Sequence, residues 1–281
     1  MPAALTARET SEVARANQSG KQPVVFIHGL WLLASSWDNW TDLFEQAGYS
    51  AVKPGWPDDA ESVAEARAHP QALAGKSVGQ VADYLSAIVR QLKTRPAIIG
   101  HSFGGLFTQI LAGRGLASVS VAIDPAPFRG VLPLPFSALK SAFPVLGNPA
   151  NRGKAVSLTY EQFRYAFANA VTEAEAKELY GAYTVPAPGK PLFQAAFANV
   201  NPGTEAKVDT TNPQRGPLLI IEGDTDHIAP WAIAKASYRR QKRNPGVTEI
   251  KKIAGRGHAL VVDSGWKEVA EEALAFVRGF V

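Results

Sequence analysis

The sequence predicts an α/β fold: a mostly parallel, doubly wound sheet of about six strands flanked by helices, with a helical insertion. Three observations carry this. Short β-rich runs alternate with helical segments, the pattern that crossover connections between parallel strands impose. The alternation breaks once, between Ala126 and Asn212, and then resumes. The 281 residues are 46% hydrophobic and 19% charged, enough for one large domain with an insertion and too apolar for wholesale disorder.

The elements follow in order. Pro23 to Ile27 reads as a buried strand ending at His28-Gly29, and Trp37 to Gln46 as an amphipathic helix stopped by Gly48. Tyr49 to Lys53 is a short strand running into the turn-rich Pro54-Gly55-Trp56-Pro57. In Val78 to Leu92 the spacing of Val81, Leu85, Ile88, Val89 and Leu92 gives one apolar helix face. Pro96 to Ile99 is a strand, Phe103 to Ala112 a helix, and Val119 to Ile123 a strand ending at Asp124-Pro125. The Pro-, Phe- and Ala-rich stretch that follows contains helical pieces at Tyr160 to Ala170 and Thr172 to Tyr180, the second with Thr172 and Glu175 spaced as a capping box. It shows no convincing strand, and a structureless loop of that length is improbable in a compact domain, so it reads as a helical insertion. Pro217 to Ile221 (strand), Trp231 to Arg240 (helix), Val247 to Ile253 (strand) and Trp266 to Val277 (helix) complete the pattern. The division is therefore 1–126 and 213–281 for the core and 127–212 for the insertion.

Composition narrows the chemistry. There is no cysteine, so disulfides, cysteine nucleophiles and thiolate metal sites are excluded. The net charge of +4 is modest, and the run Arg239-Arg240-Gln241-Lys242-Arg243 suits a helix C-terminus better than a nucleic-acid patch. Met1 to Gly20 lacks the apolar core of a signal peptide, and no stretch reaches the ~18 apolar residues of a spanning helix. The expectation is a cytoplasmic protein with no nucleic-acid or membrane partner; its oligomeric state is not legible.

The chemistry-bearing motif is Gly100-His101-Ser102-Phe103-Gly104 between a strand and a helix. A serine in so sharp a turn projects its hydroxyl clear of the sheet, and the two glycines leave room where a Cβ would clash. A serine hydroxyl needs a base within reach. Of five histidines, His28 belongs to the His-Gly turn and bonds local backbone. His101 should point away from the serine across the turn. His69 lies in a polar loop, His227 follows an aspartate, and His258 sits in the glycine-rich Gly255-Arg256-Gly257-His258-Ala259.

The elbow, together with His28-Gly29 at the end of the first core strand, resembles the α/β-hydrolase family, serine-nucleophile branch with a helical cap. The resemblance implies Ser102 as nucleophile and His258 as base. The strand followed by Gly223-Asp224-Thr225-Asp226 and Pro230 implies Asp226 as the acid, ahead of Asp224, and gives the nucleophile–acid–base order of that fold. Asp124, also at a strand end, stays open as an alternative acid, with an Asx turn before Pro125 as its plain reading. The implied oxyanion donors are the backbone N–H groups of Leu30 and Phe103, with Trp31 as the alternative to Leu30. The family commonly starts with two antiparallel strands, but residues 1–22 are too poor in β-branched residues to show them, so the N-terminus is expected to be frayed or helical.

The insertion corresponds to the family's cap. Most of its aromatics (Phe128, Phe136, Phe143, Phe163, Tyr165, Phe167, Phe193, Phe197) are expected to pack cap onto core. Trp31, Phe128 and Ile228 are expected to line an apolar pocket. The implied activity is carboxylic-ester hydrolysis through an acyl-enzyme, acting on a small to medium hydrophobic substrate with no cofactor and no metal. Lactonase, carbon–carbon hydrolase, perhydrolase and hydroxynitrile lyase chemistry use the same triad, and a ligand-binding receptor could use the same scaffold. Ser102 argues against epoxide hydrolase and haloalkane dehalogenase, which place an aspartate at the elbow.

Overall fold

Unbroken β-branched runs can be buried on both faces of a sheet, and the strands form there. A computed structural model describes residues 4–281. Its strands are β1 (Pro23–Ile27), β2 (Ser50–Val52), β3 (Ala97–His101), β4 (Val119–Ile123), β5 (Ala155–Val156), β6 (Ala187–Pro188), β7 (Leu218–Gly223) and β8 (Thr248–Ile253). Six of them form one sheet in the order β2-β1-β3-β4-β7-β8, with every neighbouring pair parallel.

The helices are α1 (Ala7–Ser19), α2 (Asp38–Gln46), α3 (Val63–Ala68), α4 (Val78–Val89), α5 (Phe103–Gly113), α6 (Phe136–Leu146), α7 (Tyr160–Ala166), α8 (Glu173–Tyr183), α9 (Lys190–Ala196), α10 (Trp231–Gln241) and α11 (Trp266–Arg278). Alternate residues of β1 face opposite layers. Val24 and Phe26 pack with Trp37, Trp40 and Phe44 and with Val269, Ala273 and Val277 of α11. Val25 and Ile27 pack with α1, α4 and α5. This two-sided burial explains why β1, β3, β4 and β7 read as continuous apolar runs, whereas the edge strand β8 alternates and is largely open to solvent.

The N-terminal segment is helical. Thr6 caps α1, and Glu9 returns the bond to the Thr6 N–H at 2.9 Å. No antiparallel strand precedes β1 among the described residues, whereas Met1 to Ala3 lie outside them.

Between β4 and β7 the chain is helical, with two departures from the sequence reading. β5 and β6 pair antiparallel, two residues each, too short to show any pattern in sequence. Thr172 does cap α8 by accepting from the Glu175 N–H, but the Glu175 carboxylate accepts from the Ser264 N–H at 2.6 Å instead of closing the box. That bond ties the insertion to the segment before α11.

Candidate active site

Every singled-out catalytic residue lies at or beyond the carboxyl edge of the sheet, where open parallel sheets place their ligands. Ser102 follows β3 with φ 57° and ψ −119°, a conformation that a non-glycine residue holds only under constraint. The constraint is visible. The Ser102 N–H donates to the Ile123 carbonyl at 2.9 Å, and its own carbonyl accepts from Leu106 and Ala126. A Cβ on Gly104 would run into the Ile27 carbonyl, and one on Gly100 into the Gly104 carbonyl. The glycines are therefore what lets α5 start directly behind the serine.

His258 is fully buried, and its Nδ1 lies 2.7 Å from Asp226 Oδ2. The other Asp226 oxygen accepts from the Ile228 N–H at 2.6 Å, so both carboxylate oxygens are engaged. His258 Nε2 is buried without a hydrogen-bond partner. The loop carrying it is pinned from two sides: the Ala259 N–H donates to the Phe167 carbonyl at 3.0 Å, and Arg256 pairs with Asp263. Phe167 sets its ring edge-on to the imidazole, 4.9 Å between centroids.

Asp124 stands beside both Asp226 and His258. It is fully buried, with φ 42°, and Oδ1 accepts from the Gly223 N–H at 2.9 Å. Oδ2 lies 3.8 Å from His258 Nδ1, beyond hydrogen-bonding range. Burial and the neighbouring Asp226 charge hold its carboxyl well above the usual carboxylate range. Geometry thus favours Asp226 over Asp124 as the partner of the imidazole. Asp224 instead accepts from the Gly255 N–H at 2.7 Å, a bond between the loops that follow β7 and β8.

His101 makes a contact that the sequence does not predict. Its ring packs against that of His258, 4.5 Å between centroids, with both nitrogens buried and unbonded. Burial, with the nearby His258, keeps it neutral. Sequence reasoning considered only which way it points from the serine and had no signal for a ring arriving from a loop 157 residues later. His101, Asp124 and His258 bring one possible metal-ligand atom each within 4.8 Å of one another. An ion there would compete with the His258–Asp226 bond.

His28 bonds the Gly29 carbonyl through Nδ1, as expected, and Asp59 through Nε2, both at 2.9 Å. Trp56 stacks on it and donates from Nε1 to the His28 carbonyl at 3.2 Å. Asp59 and Trp56 therefore brace the His-Gly turn, a role invisible in sequence because they lie some thirty residues away. Leu30 is buried next to that turn, and its N–H has no acceptor among the described residues. Phe103 occupies the first position of α5, where an amide has no intrahelical acceptor. His227 Nδ1 bonds the Tyr165 carbonyl, and His69 caps α3, so neither reaches the site.

Ser102 opens into a cavity of about 120 Å³ whose lining carries no charged side chain; Ser102 and Ser141 are its only hydroxyls. Trp31 and Ile228 line it, together with Ala138, Leu139 and Leu146 of α6. Phe128 does not: it is buried in the core.

The alpha/beta hydrolase family model matches residues 24–272. The chain belongs to this family. Solved structures agree on the fold. A monoacylglycerol lipase from Paleococcus ferrophilus superposes with a TM-score of 0.60 at 20% identity, covering 92% of this chain and 93% of that one. An extracellular alpha/beta-hydrolase from a Paenibacillus species gives 0.66 at 17% identity over 90% and 98%. A pyrethroid hydrolase from Sphingobium faniae gives 0.63 at 16% over 91% and 96%. No curated protein matches the chain by sequence.

Proposed function

We propose that this hydrolase cleaves carboxylic esters of small to medium apolar substrates through an acyl-enzyme on Ser102. The observation that carries the reading is an elbow serine in an uncharged cavity, at the same sheet edge as a buried His258–Asp226 pair. Ser102 Oγ attacks the ester carbonyl while His258 Nε2 takes its proton. The Leu30 and Phe103 N–H groups receive the oxyanion, each contributing about 3–4 kcal/mol to the transition state. His258 then returns the proton to the leaving alcohol, and water releases the acid by the same steps in reverse. Asp226 holds the proton on Nδ1, so Nε2 is free to accept, and it stabilises the imidazolium. The insertion 127–212 serves as the cap that excludes water and selects by shape.

Labelling with a fluorophosphonate probe tests this. Wild type labels and Ser102→Ala does not; labelling independent of Ser102, or none at all, sinks the reading. A panel of p-nitrophenyl esters of rising acyl length then separates ester hydrolysis from lactone opening, carbon–carbon cleavage, perhydrolysis and lyase chemistry with the same triad.

A further inference from the structure

The face that α6 turns outward has the composition of an inward one. Its buried side is Ala138, Ser141 and Val145. The opposite stripe, Phe136, Leu139 and Phe143 at helical spacing, is 79%, 42% and 70% exposed. A helix apolar on both sides belongs inside a structure, yet here one side meets water. The preceding Leu132-Pro133-Leu134-Pro135 segment adds two more exposed leucines, with the prolines holding it extended. α6 packs beside α9, just beyond which Phe197 and Val200 are also exposed.

This patch is continuous with the cavity. Leu134 and Leu139 are exposed and also line the Ser102 cavity, so the apolar surface runs into it. Its charge has one sign. From Ala126 to Tyr160 the chain carries Arg129, Lys140, Arg152 and Lys154 and no acidic residue. Lys140, Arg152 and Lys154 are exposed, and none of the four pairs with a carboxylate among the described residues. Arg152 shares a shallow groove with Phe193 and Phe197.

We infer that this face docks on an anionic lipid surface, with the apolar side chains in the acyl boundary and the cations at the headgroups. Lys140 does lie over the Tyr165 ring, 3.9 Å from its centroid, but it keeps its charge, and exposed aromatics flanked by cations without carboxylate partners are what such a boundary binds. A symmetric pair of copies would bring these like charges face to face, so a second chain is the poorer occupant. The absence of a spanning stretch, which led the sequence reading to expect no membrane partner, does not bear on surface docking. Docking would deliver apolar esters to the cavity mouth, but it is read without turnover and stands or falls separately from the esterase reading.

The test is co-sedimentation of the Ser102→Ala chain with vesicles of phosphatidylcholine alone and of phosphatidylcholine mixed with phosphatidylglycerol. The expected result is partition onto the anionic vesicles, weakened by salt and by Lys140→Gln/Arg152→Gln. Adding Phe136→Ser/Phe143→Ser should lower partition at least about tenfold, the effect of withdrawing two aromatic side chains from an apolar boundary. In a chain with Ser102 intact, the same two substitutions should leave turnover of a water-soluble ester unchanged. No binding to anionic vesicles, or equal binding to both kinds, overturns the inference. So does a dimer in solution that Phe136→Ser/Phe143→Ser dissolves.

Discussion

Asn at position 226 is the sharpest perturbation of the proposed mechanism, because the structure dictates how its amide must sit. Asp226 Oδ1 accepts from the Ile228 N–H at 2.6 Å, and Oδ2 faces His258 Nδ1 at 2.7 Å. In Asp226→Asn the amide oxygen keeps the Ile228 bond, since an NH₂ there would oppose an N–H. The NH₂ then faces Nδ1, which must present a lone pair, so the imidazole proton moves to Nε2 and the base cannot accept from Ser102. Turnover should fall by about 10⁴-fold, the effect of a wrong tautomer in such a triad, or about 5.4 kcal/mol of barrier. Asp124→Asn is the matched control. Its oxygen can still accept from the Gly223 N–H, and its NH₂ replaces an oxygen that has no hydrogen-bond partner among the described residues. It should cost less than about tenfold. The assay is kcat on a p-nitrophenyl ester, with circular dichroism confirming that both variants fold. If Asp226→Asn keeps more than about a tenth of the activity while Asp124→Asn abolishes it, the acid has been misassigned.

Three further outcomes follow from buried groups. Burial, reinforced by the Asp226 charge, pushes the Glu222 carboxyl from 4.5 up to about 8. A raised carboxyl favours the fold below its unfolded value and loses that contribution as pH rises toward 8, so the stability of Glu222→Gln relative to wild type should grow from about pH 5 to 8 and then level off; parallel urea-unfolding stabilities across that range would refute this. Arg215 is fully buried, has no carboxylate partner among the described residues, and donates to the Gly216, Gln241, Gly246 and Val247 carbonyls at 2.7–3.2 Å. Arg215→Ala leaves those acceptors dry and should cost about 3 kcal/mol, lowering Tm by roughly 6–10 °C in thermal melts. Ala142→Phe puts a ring into the cavity of about 120 Å³, so kcat/KM for long-chain esters should fall about tenfold or more relative to acetate; an unchanged chain-length profile would place the acyl site elsewhere.

Much of this site is legible along the chain because its parts are local. A strand, a crowded Gly-x-Ser-x-Gly turn and a helix are consecutive, so Ser102 announces itself. Asp226 and His258 each follow a strand, and parallel strands bring their carboxyl ends to one edge whatever loops intervene. The central strands of the six-strand sheet follow from which residues tolerate two-sided burial, whereas residues 1–22, poor in β-branched residues, left a frayed or a helical N-terminus open and the structure shows a helix.

What tertiary structure alone decided are the meetings across long separations. The ring of His101 rests on His258, Asp59 and Trp56 brace the His-Gly turn, and the Asp124 carboxyl is pushed up because the fold buries it beside Asp226. Composition could not say which aromatics of the insertion face inward. Phe128, Phe163 and Phe167 are buried, whereas Phe136, Phe143 and Phe197 face water, because the exposure of a helix face depends on what packs against it. Periodicity names the stripe; only packing decides whether it closes the core or stands open at the cavity mouth.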